Sequence, residues 1–261
     1  NGFVWIGTSN GLYRYDGLHV QCYRNTLLFP HLLPCNEITS LQDDGHNHLW
    51  IGTRQGVCRM DLKEGTTQCY YFKEFSNSNI VKCMRFTRDE TLWVGTEGGL
   101  YRYQPKDDTF VLYSSDKGNT IVPHASITSL LEDHQGYVWI GTWDQGLYRY
   151  NPSDKSFYAM PSFNPQRSAQ TVYESNGALW VGTWGSGLYR IANPYDTNKP
   201  LALTQYTLAN TNGQLQSNII WDINRDPNTG MLWVGTSGGL TLVENADQPH
   251  RNLRSLSASL N

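Results

Sequence analysis

The residues best suited to chemistry lie in two short loops, Trp143-Asp144-Gln145 and Trp184-Gly185-Ser186. An exposed indole offers a flat apolar face, and neighbouring carboxylate, amide and hydroxyl groups can hydrogen-bond a polar ligand lying on it. That pairing suits an oligosaccharide or another flat polar ligand. The alternative is burial of both indoles under neighbouring connections. The ligand-binding candidates are therefore Trp143, Asp144, Gln145, Trp184 and Ser186.

Other constellations fall short of a site. His46-x-His48 offers two metal ligands where three or four must converge, so a surface turn is expected. Asp43, Asp44, Asp133 and Asp226 lack the spaced carboxylate series of a calcium loop and read as turn formers. The five cysteines, Cys22, Cys35, Cys58, Cys69 and Cys83, contain no CxxC pair. Cys58 and Cys69 occupy facing strands at positions read as equivalent to Tyr101 and Phe110, which leaves both a disulfide and two buried thiols open. No Ser-His-Asp order, phosphate-binding loop, GxGxxG or HExxH is present. No catalytic residue, metal or cofactor is expected.

Composition narrows the class further. The chain has 261 residues, 20 basic against 23 acidic, for a net charge of −3. Nucleic-acid binders need a basic surface, so that partner class is excluded. Charged residues make up 16% and aromatics 13%. The low charge and the aromatic excess fit pleated, buried surfaces. No run approaches the roughly 20 apolar residues of a membrane helix, so no direct membrane insertion is expected of this segment. Asn1-Gly2-Phe3-Val4-Trp5 runs straight into a strand pattern, which reads as a piece excised from a longer protein.

The elements that position these loops come from a repeat. One pentapeptide recurs six times, centred on Trp5, Trp50, Trp93, Trp139, Trp180 and Trp233, at spacings of 45, 43, 46, 41 and 53 residues. Its form is Leu/Val-Trp-Ile/Val-Gly-Thr. After two or three loop residues a Gly opens a second strand, as in Gly99-Leu100-Tyr101-Arg102-Tyr103 and Gly146-Leu147-Tyr148-Arg149-Tyr150. A third strand follows near Phe110 and Phe157, and from the second copy on a strand such as Ile38-Thr39-Ser40-Leu41 precedes the Trp. Each unit is thus four short strands, A to D in chain order. Four strands per ~40–45 residues is the arithmetic of a propeller blade. The expected fold is an all-β propeller of four-stranded antiparallel blades with essentially no helix. Residues 1–261 are read as a single propeller domain or most of one.

Within a blade the Trp of strand B and the Arg of strand C recur with the fold period. They are expected to pack between blades, and the strand B glycine marks a close approach. From Trp233 around to Trp5 there are only 33 residues, below the shortest interval of 41. Asn252-Leu253-Arg254-Ser255-Leu256 lies 20 residues after Trp233 and reads as strand D of the sixth unit. The first unit then lacks strand A. Six repeats are visible, as part of a seven-bladed propeller or as an incompletely closed six-bladed one.

These six copies, from the second on with an Ile-x-x-Leu strand and Asp turn upstream, resemble the two-component regulator propeller repeat. The Arg14-Tyr15-Asp16-Gly17 ending of the first copy is similar to the first blade of such domains. The resemblance implies the periplasmic sensor part of an inner-membrane hybrid histidine kinase, one that detects oligosaccharides and works as a homodimer. Membrane helix and kinase would lie outside these residues, so this segment alone would bind without phosphotransfer. Two other classes stand beside it, a propeller lyase or glycosidase and a protein-interaction scaffold. No paired or repeated carboxylate marks the inner strands, which argues against the enzyme. In up-and-down blades the B–C loops and D–A connections share one side. Trp143 and Trp184 should therefore meet there, walled by connections 114–126 and 193–217.

Overall fold

The computed structural model describes residues 2–28, 31–113, 125–160, 163, 168–196, 200–246 and 252–256. Among them every regular element is a strand. No helix is long and apolar enough to cross a membrane. The chain forms two compact units, Asn1–Ile127 and Thr128–Asn261.

In the first unit, β1 (Val4–Thr8), β2 (Gly11–Tyr15) and β3 (Val20–Tyr23) form a three-stranded sheet. β4 (Ile38–Asp43), β5 (His48–Thr53), β6 (Gly56–Asp61) and β7 (Thr67–Tyr70) form the second blade. β8 (Val81–Phe86), β9 (Leu92–Thr96), β10 (Gly99–Gln104) and β11 (Thr109–Leu112) form the third. β12 (Ile127–Glu132) straddles the unit boundary and starts the fourth blade, with β13 (Val138–Thr142), β14 (Leu147–Asn151) and β15 (Ser156–Ala159). The second unit continues with β16 (Thr171–Ser175), β17 (Ala178–Gly182), β18 (Leu188–Ile191) and β19 (Leu203–Tyr206). It ends with β20 (Ile220–Arg225), β21 (Leu232–Thr236), β22 (Gly239–Glu244) and β23 (Asn252–Ser255). The fold is all-β and built of propeller blades. The segment at Asn252 is strand D of the sixth copy, as its spacing requires, and the first sheet has no strand A.

Three sequence features build each blade. Trp and Arg sit directly opposite on strands B and C, as Trp5–Arg14, Trp50–Arg59, Trp93–Arg102, Trp139–Arg149 and Trp180–Arg190. The guanidinium stacks on rings: Arg59 lies 5.5 Å from the Trp50 ring, and Arg149 lies 4.6 Å from Tyr137 and 5.8 Å from Trp139. The strand B glycine lets the next blade's strand A press in. A Cβ on Gly52 would meet Val81 at 2.7 Å, and one on Gly182 would meet Ile220 at 2.5 Å. The strand B threonine closes the B–C loop: Thr53 Oγ1 donates to Gly56 O at 2.9 Å and accepts from Gln55 N–H at 3.0 Å. Thr8, Thr96, Thr142, Thr183 and Thr236 make the same bracket.

The ladder tryptophans are not uniformly core. Trp50, Trp93, Trp139 and Trp180 are buried, but Trp233 is 37% exposed and Trp5 half-buried. Trp233 faces Leu242 rather than an arginine. The buried Trp139 donates its indole N–H to Asp133 at 2.7 Å, and Asp133 also accepts Gln135 and Tyr137 N–H. This Asp turn therefore anchors the core ring as well as the chain reversal.

Blades two and three are clasped at Asp108, in the turn after β10. Its carboxylate accepts from Tyr103, from Tyr70 at 2.8 Å, from Gln68 at 2.6 Å and from Arg59 at 3.1 Å. The Tyr103 hydroxyl first, then the Tyr70 hydroxyl, the Gln68 amide and the Arg59 charge, hold the Asp108 carboxyl below the ordinary value of 3.8. Burial and Asp108 together raise the Tyr70 and Tyr103 phenols.

Two outcomes follow for stability. Trp139→Ala should lower the unfolding free energy by about 3–5 kcal/mol, and Trp233→Ala by clearly less, in urea titrations followed by circular dichroism. Equal losses would contradict the burial difference. A carboxyl whose pKa is depressed on folding stabilises fully above its unfolded value and loses that contribution as pH falls through the folded one. Asp108→Asn should therefore flatten part of the fall in urea midpoint below pH 3.8. An unchanged acid limb would remove Asp108 from that role.

Candidate functional site: an exposed indole patch

The second unit carries the candidate site at the B–C loop end of its blades. Four B–C loops span two residues between the bracketing Thr and Gly. The fourth and fifth copies span three, and each extra-long loop begins with Trp. Thr142 Oγ1 still reaches Gly146 O at 2.8 Å, and Thr183 Oγ1 reaches Gly187 O at 2.7 Å. The bracket thus holds while the added residue stands clear. Left-handed backbone at Gly146 (φ +79°) and Gly187 (φ +82°) closes the longer loops. A Cβ at Gly187 would lie 2.2 Å from Tyr206 O, so only glycine fits there.

The two indoles meet. The Trp143 and Trp184 rings are 5.4 Å apart, tilted by 54°. They are 44% and 43% exposed, so neither is buried under the connections. Trp184 is firmly seated. Its N–H donates to Ser168 Oγ at 2.7 Å, while Gly185 and Gly187 N–H both donate to Asn218 O, at 3.0 and 2.9 Å. Ser186 donates its N–H to Thr183 Oγ1 at 3.0 Å, and its carbonyl accepts from the Gln205 side chain at 2.8 Å. Gln145 N–H donates to Thr142 Oγ1 at 3.0 Å. Asp144 is exposed. Burial first, then its charge, raises the nearby Tyr148 phenol. Segment 207–219 of the D–A connection tethers the Trp184 loop. Residues 197–199, and 114–124 of the other expected wall, lie outside the described residues.

A third indole belongs here. Trp221 stands 4.9 Å from Trp184 at 86° and is 49% exposed. It is the bulged residue of β20, since Ile220 pairs with Thr236 and Asp222 with Gly235. A bulge leaves one residue unpaired and re-aims its side chain. The same bulge falls at Thr39 and Lys82 in the second and third copies. The signal was available in the sequence: Ile220-Trp221-Asp222-Ile223 aligns with Ile38-Thr39-Ser40-Leu41, so Trp221 replaces a small polar residue where the fold does not need a ring.

The remaining candidates resolve as structure. His48 Nδ1 is 2.7 Å from Asp44, and His46 Nε2 is 4.0 Å from Glu90. Both histidines line a cleft of about 560 Å³ between the second and third blades, together with Trp50, Arg59 and Tyr103. Among the described residues no group of His, Cys, Asp or Glu could hold a metal ion. A disulfide joins Cys58 to Cys69, directly opposed on β6 and β7 with Cα atoms 4.1 Å apart. Cys69 corresponds to Leu112, the residue opposite Tyr101, rather than to Phe110. The turn between strands C and D has the same length in these two copies, so each facing pair lies 11 residues apart.

With fold and patch in place, the comparisons can be read. The two-component regulator propeller profile matches residues 32–55 and 121–144. Those two stretches resemble two-component regulator propeller repeats. The chain is similar to the extracellular domain of BT4673 from B. thetaiotaomicron, which is assigned to a one-component or hybrid two-component system. Identity is 27% over 92% of this chain and 31% of that one, with a TM-score of 0.74. The BT3049 extracellular domain, also from B. thetaiotaomicron, is 22% identical over 94% and 32%, at a TM-score of 0.72. A streptogramin B lyase shares the fold at 14% identity, covering 98% and 80%, TM-score 0.68. No curated protein matches. The chain therefore spans about a third of the length of the two B. thetaiotaomicron domains.

Because the three patch indoles are all more than two-fifths exposed, Trp184→Ala and Trp221→Ala should each cost less than about 1 kcal/mol of stability. Losses comparable to that of Trp139→Ala would make the patch a packing element.

Proposed function

We propose that this chain is the ligand-sensing part of a periplasmic receptor of the hybrid two-component class. It holds an oligosaccharide without catalysis on Trp143, Trp184 and Trp221. The observation that carries the reading is the contiguous strip of three exposed indoles on an otherwise repetitive scaffold. Flat apolar faces stack on sugar rings, while Asp144, Gln145 and Ser186 lie alongside to meet hydroxyls. Tethered backbone on both sides of Trp184 preorganises the strip, which reduces the ordering cost of binding. The Cys58–Cys69 disulfide suits an oxidising compartment such as the periplasm. Signal output then belongs to a membrane helix and histidine kinase beyond these residues.

The lyase likeness is one of fold alone. The patch residues combine stacking and hydrogen-bonding groups, which suits retention of a ligand better than bond cleavage.

Calorimetric titration of a glycan panel into the parent and into Trp143→Ala/Trp184→Ala tests the reading. A glycan that binds the parent should lose on the order of 100-fold in affinity in the double variant, about 2–3 kcal/mol, with the melting temperature retained. Unchanged affinity in the folded double variant would place the site elsewhere.

A further inference from the structure

The indole strip has a charge bias that selects among ligands. The described segments that carry and border it are 142–146, 168–171, 183–187, 207–222 and 236–239. They contain two carboxylates, Asp144 and Asp222, and no lysine or arginine. Both carboxylates are exposed, and each directly follows an indole of the strip, Trp143 and Trp221. Asp222 accepts only neutral donors, Ile223 N–H at 2.9 Å and Thr171 Oγ1 at 3.4 Å. Among the described residues neither carboxylate has an ion-pair partner, whereas acids elsewhere do, such as Glu97 with Lys82 at 2.8 Å and Asp108 with Arg59 at 3.1 Å. Arg167 lies outside the described residues.

Two fields therefore point the same way. Indole faces carry a negative quadrupole that attracts cations. The two carboxylates add net negative charge within a Debye length of the rings, about 8–10 Å. A neutral sugar gains nothing from this net charge, and an anionic one such as a uronate is repelled. A protonated amine gains from both.

We infer that the strip is selective for a cationic amino-glycan, a saccharide bearing free protonated amino groups. This rests on reading the strip as a ligand site. Stacking supplies the neutral part of the affinity, and Asp144 and Asp222 supply the discrimination.

Two probes with one backbone separate these contributions: the β-1,4-linked glucosamine hexamer and its fully N-acetylated, uncharged counterpart. Each is titrated calorimetrically at about pH 6, where amines are protonated. The parent should bind the amine form about tenfold more tightly, with the difference shrinking at high salt. Asp144→Asn/Asp222→Asn, at exposed positions, should bring the two forms close to parity by weakening the amine form far more than the N-acetylated hexamer. Trp143→Ala/Trp184→Ala should weaken both. Equal affinity of the parent for the two forms, or a preference that survives the double Asn variant, overturns the inference. If the uncharged hexamer still depends on the two tryptophans, the ligand-site reading stands and only the charge selectivity falls. If neither hexamer binds, or neither responds to the tryptophans, both fall.

Discussion

Each blade exists because its neighbour presses on it, and the strand B glycine permits that contact. An isolated four-stranded sheet of this composition has two apolar faces and cannot bury both. At Gly52 and Gly182 the absent Cβ opens a slot that the first inward residue of the next strand A fills, Val81 and Ile220 respectively. Any side chain larger than hydrogen would push these sheets apart and loosen the Trp and Arg layer behind them. The burial of Trp50 and Trp180 follows from this approach, as does the stacking of arginines on rings rather than on solvent.

The same motif is not buried alike in every copy. Val4 and Ile6 of β1 are exposed, and Trp233 of β21 is more open than its four buried counterparts. The pentapeptide is nearly identical in all six copies, so the contrast arises from packing and not from local sequence. Burial in this architecture is a property of the pair of blades.

This explains what the sequence disclosed and what it withheld. Period and turn chemistry specified blades, strand roles and the side on which Trp143 and Trp184 emerge, because each is set within one repeat. The role of Asn252–Ser255 as strand D beside β22 was legible from spacing, while its register was not: Leu253 pairs with Val243 rather than Leu240. Trp221 shows in sequence only as a ring in place of a small polar residue; its exposure depends on a bulge that shifts pairing by one residue, and Ile-x-x-Leu reads as an ordinary strand. Cys58 and Cys69 were read as facing residues with bond and free thiols both open, and the equivalence of Cys69 was off by two residues, since the aromatic Phe110 rather than the equal spacing was used to align the strands. Asp133 was read as a turn former, and its bond to the Trp139 indole needed the folded distance.

The threonine bracket also bears on how such molecules diversify. Thr142 and Thr183 hold their loops through a hydroxyl and a carbonyl at fixed points, indifferent to what lies between. Loops of two and three residues seat in the same bracket, so an insertion there leaves strand pairing undisturbed. The loop contents can drift under selection for new ligands while the bracket, glycine and Trp–Arg layer stay constant. Recognition and folding are thereby written in separate residues, and duplication of a blade supplies another blank loop on which a new specificity can be inscribed.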